Sequence, residues 1–116
     1  MARVVAQAAV CNLTVAGEPA WEFLGGTAQE VPARYDFADP MRLLPLGVPT
    51  LLVHGAEDET VPVQRSREYA EAARAAGDDV TLVEPVPGHH RIHPDPRSEA
   101  WRVAAEWVAR PVRSAA

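Results

Sequence analysis

Two loops in this sequence set a carboxylate and an imidazole where they could act together. The first is His54-Gly55-Ala56-Glu57-Asp58-Glu59-Thr60-Val61-Pro62, and the second is Val86-Pro87-Gly88-His89-His90-Arg91-Ile92-His93-Pro94. A carboxylate that accepts a hydrogen bond from a histidine ring fixes the ring's tautomer and stabilises its cation. The ring can then serve as a general base toward a hydroxyl nucleophile. Asp58 is the candidate acid, with Glu57 and Glu59 as rivals in the same turn. His90 is the candidate base, with His89 as the alternative. His93 and His54 rank below them, and His54 is better suited to closing its strand and packing beside the acid loop. Taken by itself, the acidic turn would be an ordinary solvated loop, so the case depends on the elements that carry it.

Those elements read as strands alternating with helices. Residues 50–54 form a short, continuous apolar run ending in Gly55, which suits a strand buried on both faces. Residues 79–84 read as a second short strand, and residues 3–10, rich in β-branched valine, as a third. A helix is expected from Pro62 to Ala76, with Tyr69, Ala72, Ala73 and Ala76 on one face and Gly77 as its stop. A last helix should start at Asp95-Pro96 and run to about Arg110, with Trp101, Ala104, Ala105 and Val108 on one stripe and Pro111 ending it. Residues 18–47 read as irregular. Within them Thr27-Ala28-Gln29-Glu30 has the form of a capping box that could open a short helix up to Tyr35, and Asp39-Pro40 could start another. This order implies an α/β fold with a parallel sheet of about three strands and flanking helices, and both loops would leave the carboxyl ends of strands, where sites form in such sheets.

Composition narrows the classes further. The 116 residues make one domain at most, 47% hydrophobic and 23% charged, as in a globular chain. The net charge of −5 and the scattered arginines offer no basic cluster for nucleic acid. No apolar stretch reaches the ~20 residues of a membrane span. Met1-Ala2-Arg3 before the valines resembles a weak signal peptide, but Gln7 interrupts the short apolar part, and a cytoplasmic protein is expected. Cys11, the single cysteine, excludes an internal disulfide and a cysteine-based metal site and reads as a buried, inert thiol. No cofactor and no metal are expected. Gly25-Gly26 follows no strand, so a phosphate-cradling loop of a flavodoxin-like domain has no support.

The stretch from Val48 to Trp107 resembles the end of the α/β-hydrolase fold, in the branch of prolyl-oligopeptidase-like peptidases and related esterases. Val48-Pro49-Thr50-Leu51-Leu52-Val53-His54-Gly55, Asp58 and Val61-Pro62 match that family's acid-bearing strand and loop, and Pro87-Gly88-His89-His90 its histidine loop. The order of acid before histidine is the family's order. The resemblance implies that Asp58 is the triad acid. Asp95 stands five residues after His90, a family spacing that favours His90 over His89, although the loop is one residue short of the common form. Upstream the likeness is looser, through residues 3–15, Trp21-Glu22-Phe23-Leu24-Gly25-Gly26 and Val31-Pro32-Ala33-Arg34-Tyr35. There is no Gly-x-Ser-x-Gly. Of the three serines, Ser66 and Ser98 read as surface or capping residues, and none, Ser114 included, sits at a strand-to-helix elbow.

The expectation is therefore a partial α/β-hydrolase domain over 1–116, the C-terminal portion of the fold. Residues 1–47 form a strand and an excursion, and residues 48–116 carry both loops. It would supply Asp58 and His90 to ester or peptide hydrolysis without holding the nucleophile, and the chain alone would be inactive. The alternative is a non-catalytic α/β interaction module or an inactive hydrolase remnant. A small-molecule ester or peptide substrate is implied once the other half is present, and an open sheet edge could drive self-association.

Overall fold

In the computed structural model, which describes residues 3–110, three short strands form one parallel sheet. β1 (Val4–Gln7) and β3 (Val80–Val83) flank β2 (Thr50–Val53), with Gln7, Val53 and Val83 in register at the carboxyl end. All four residues of β2 are buried, as its unbroken apolar run requires. Successive side chains of β2 point to opposite faces and enter different layers. Leu52 packs with Cys11, Tyr69, Ala70 and Ala73 on one face. Leu51 and Val53 pack with Ala100 and Trp107 on the other. The helix α3 (Val63–Ala75) covers the first face and α4 (Glu99–Ala109) the second, which is the architecture of the C-terminal part of an α/β-hydrolase fold.

Several sequence expectations shift at their edges. β1 stops at Gln7 rather than residue 10, because Ala8 turns into the left-handed region at φ 50 and leads the chain off the sheet. α3 buries Ser66, Tyr69, Ala70 and Ala73, so the expected Ala76 is outside the stripe and exposed. α4 starts at Glu99, not at Asp95-Pro96. Asp95 instead closes a turn onto the Arg97 N–H at 2.9 Å, and Ser98 caps the helix by accepting from the Trp101 N–H at 3.1 Å. The buried stripe of α4 is Ala100, Ala104 and Trp107. The small alanines let the helix approach the sheet and the indole covers it, which rotates Trp101, Ala105 and Val108 outward. Pro111, expected to end this helix, lies outside the described residues.

Arg3 secures that helix to the start of β1. Its guanidinium lies over the Trp107 ring, 5.6 Å from the centroid, and donates to the carbonyls of Trp107 and Val108, where a cation also suits the helix dipole.

The excursion holds more helix than its prolines suggested. α1 (Glu18–Leu24) was not expected, and α2 (Pro32–Ala38) begins after the capping box rather than inside it. Thr27 and Glu30 do exchange both capping hydrogen bonds, at 2.9 and 3.3 Å, but they close an isolated turn because Pro32, lacking an N–H, begins a separate helix. Asp39 caps the 3-10 turn Pro40–Leu43 as expected, and its fully buried carboxylate also accepts from the Leu13 and Thr14 N–H groups and the Thr14 hydroxyl. That second role holds residues 12–16 against the excursion. Cys11 is buried beside this segment, and burial pushes its thiol up to about 11, where it is un-ionised and unreactive at neutral pH.

Candidate active site

The loops after β2 and β3 leave the same carboxyl end of the sheet and are joined backbone to backbone. The Ala56 N–H donates to Pro85 O at 3.3 Å and the Glu57 N–H to Gly88 O at 3.0 Å. The Glu57 carboxylate accepts from the Gly88 N–H at 3.1 Å, so this rival for the acid role is a loop fastener. Gly55 and Gly88 meet where these bonds run, and a Cβ on either would strike the backbone of the other loop. Glu59 lies on the exposed rim of a cleft of about 390 Å³ with Thr60, His89, His90 and Arg91.

This junction brings Asp58 and His90 together. The Asp58 Oδ2 is 2.7 Å from the His90 Nδ1, and the carboxylate is closed to solvent while the imidazole is about one-third exposed. The other oxygen, Oδ1, accepts from the Thr60 and Val61 N–H groups, both at 2.8 Å. Burial acts to raise the Asp58 carboxyl, but the Val61 N–H, the His90 ring and the Thr60 N–H outweigh it and hold the acid below its usual range. His89 points outward and is exposed, so the structure pairs Asp58 with His90 and not with its neighbour.

Because Asp58 only accepts, His90 presents an Nδ1–H to it, and the neutral ring keeps its Nε2 lone pair for another proton. His90 borders a cavity of about 580 Å³ lined also by Ala8, Val10, Val15, Pro19, Val61 and Pro62. The Asp39-held turn and the residues after β1 thus form one wall, and the acid loop forms the other.

Two further residues stand beside this pair. His54, wholly buried at the end of β2, lies 2.7 Å from Val61 O and 3.3 Å from Asp58 Oδ2 through its Nε2, as its expected place beside the acid loop implied. Ser66 is 2% exposed and bonds the His54 Nδ1 at 2.7 Å. The surface or capping reading of Ser66 is therefore corrected. It falls on the inner face of α3, and a buried hydroxyl needs a partner that only the fold supplies. Ser98 keeps its capping role by accepting from the Trp101 N–H, and its single O–H is within reach of the Ile92 and Asp95 carbonyls, each 2.8 Å away. Ser114 lies outside the described residues. His93 is buried with neither ring nitrogen hydrogen-bonded among the described residues, and burial, reinforced by His54 and His90, keeps it neutral against the pull of Asp58.

The His54–Ser66 bond and the glycine contact were not visible in the sequence. The only signals for the glycine contact were Gly55, two residues after β2, and Gly88, directly before the histidine pair.

A family model described as the prolyl oligopeptidase family matches residues 3–114. Among solved structures, the chain is similar to an esterase of the planctomycete Thermogutta terrifontis, at 24% identity and TM-score 0.67, covering 91% of this chain and 39% of the esterase. The same enzyme phosphoramylated by tabun aligns at 25% identity and TM-score 0.68, over 91% of this chain and 38% of that one. An acylaminoacyl peptidase of Pyrococcus horikoshii matches in fold, with 17% identity, TM-score 0.69, and coverage of 97% and 20% of the two chains. The chain thus spans about two-fifths of the esterase and one-fifth of the peptidase. No curated protein matches it.

Proposed function

Because the chain belongs to the prolyl oligopeptidase family, a serine hydrolase family of the α/β-hydrolase superfamily, we propose that it contributes the acid and the base of a Ser–Asp–His triad and receives its nucleophile from outside this chain. The 2.7 Å contact between Asp58 and His90 carries this reading. His90 Nε2 takes the proton of a serine hydroxyl as the oxygen attacks an acyl carbon. Asp58 stabilises the imidazolium that forms, and the ring then passes the proton to the departing alcohol or amine. The apolar cavity beside His90 receives the acyl part or side chain of a small ester or peptide substrate. Residues 48–116 carry the chemistry and 1–47 wall the cavity, together a partial domain over 1–116.

The isolated chain is expected to take no fluorophosphonate label, because the hydroxyls of Ser66 and Ser98 are committed to His54 and to the α4 cap. Intact-mass spectrometry after incubation checks this. The relative phosphoramylated by tabun makes an organophosphorus probe the apt reagent. Stoichiometric labelling of Ser66, Ser98 or Ser114 would overturn the reading.

β1 lies at the sheet's edge with Val4 and Val5 only half-buried, and its outer N–H and C=O groups are open to another strand. We therefore expect the isolated chain to self-associate through that edge. Light scattering across a concentration series should show mass rising with concentration. A monodisperse monomer with a cooperative thermal transition would instead favour a self-sufficient, non-catalytic module. No helix among the described residues is long and apolar enough to cross a membrane.

A further inference from the structure

We infer that His54 is a positioning residue for Asp58 and that Ser66 sets the tautomer in which it acts, an inference that rests on the triad reading above. The His54 Nε2 faces two acceptors, Val61 O at 2.7 Å and Asp58 Oδ2 at 3.3 Å. A carbonyl oxygen can only accept, so Nε2 carries the proton. Nδ1 is then an acceptor, and the buried Ser66 hydroxyl, 2.7 Å away, is its donor. That N–H is given to Val61 O at the returning end of the acid loop, and the carboxylate oxygen that faces His90 lies 3.3 Å from the same nitrogen, within reach of its N–H dipole.

This grip has a specific consequence. Asp58 Oδ1 is held by two backbone N–H groups, while Oδ2, among the described residues, faces His90 and His54. His90 sits on a loop and is partly exposed, whereas His54 is fixed in the core, so His54 is the rigid reference that aims Oδ2. The tautomer with its single N–H at Nε2 is the one that turns this donor toward both Val61 O and Asp58. Ser66 secures that tautomer from a different element, α3, so the helix packed on the sheet helps to orient the site across its second layer.

Long-range ¹⁵N–¹H correlation spectra of the whole ¹⁵N-labelled chain at neutral to mildly alkaline pH test this directly. Wild type should show His54 protonated at Nε2 with a bare Nδ1, and His90 protonated at Nδ1. His54→Leu removes the donor, and the Nδ1–H share of His90 should fall about twofold or more, since a free imidazole prefers Nε2–H. His54→Gln, which can place an amide N–H near the lost one, should restore it. Should the leucine variant not fold, Ser66→Ala serves instead, with a His54 Nδ1–H form appearing and the His90 share falling. The inference is overturned if wild-type His54 is protonated at Nδ1, or if His90 is unchanged in a folded His54→Leu or Ser66→Ala protein. A His90 that carries its proton on Nε2 in wild type would instead bring down the triad reading itself. A His90 in the Nδ1–H form but indifferent to His54 would bring down this inference alone.

Discussion

Asp58→Asn is expected to lower kcat/KM about 10⁴-fold when the chain is combined with a nucleophile-bearing segment, although the shape of the residue is kept. The reason lies in the surroundings of the carboxylate. The Thr60 and Val61 N–H groups both point at Oδ1, so an asparagine must leave its carbonyl oxygen there. Its NH₂ then takes the place of Oδ2 and faces His90 Nδ1 and the His54 Nε2. A donor at that point turns His90 Nδ1 into an acceptor and moves the ring's proton to Nε2, the atom that must receive the proton of the nucleophile. It also sets two donors against each other at His54. In the isolated chain the same change reads as a switch of His90 from Nδ1–H to Nε2–H by ¹⁵N spectroscopy. Hydrolysis within about tenfold of wild type, or an unchanged His90 tautomer, would remove Asp58 from the triad. The variant should also lose part of the acid sensitivity of folding. The Asp58 carboxyl is held below its ordinary 3.8, so its stabilisation is present above that value and disappears as pH falls through the lowered one.

Gly88→Ala should destabilise the chain by about 3 kcal/mol, the upper part of the range for overpacking a tight site. A Cβ there would sit 2.5 Å from Gly55 Cα and 2.8 Å from the Ala56 N, and would also meet Pro85 O. All of these are backbone atoms, which cannot rotate aside as a side chain could. The φ of Gly88 is not in the left-handed region, so the effect is one of space rather than of torsion. Relief requires the two loops to part, which breaks the Glu57–Gly88 bonds and carries His90 away from Asp58. Thermal unfolding should show a midpoint lower by about 10–20 °C for a domain of this size, with the His90 Nδ1–H signal lost before global unfolding. A midpoint within about 2 °C of wild type would mean that the loops are held together by something other than this contact. Gly55→Ala should behave alike, because its Cβ meets the carbonyl of Gly88.

The sequence by itself determined the layered plan and the two loops that would meet at one end of the sheet. Thr50–Val53 is apolar at every position, and such a run is stable only with partners on both edges and cover on both faces. The loops that carry Asp58 and His90 could be placed together because each follows a strand of a parallel sheet, whose carboxyl ends share one side. Helix rotation was beyond its reach in α4, where Trp101, Ala105 and Val108 and the buried Ala100, Ala104 and Trp107 both satisfy helical spacing. Which stripe turns inward depends on how closely alanine lets the helix approach and on where Trp107 finds the sheet and Arg3, and both are properties of packing. The partners of His54 likewise depended on the fold. Its bond to Ser66 crosses from a strand end to the middle of a helix, and its contact with Asp58 depends on how the acid loop returns at Val61. Residue type announces hydrogen-bonding capacity, but only tertiary structure decides which buried donor meets which buried acceptor, because each partner must be brought from a distant element before water is excluded.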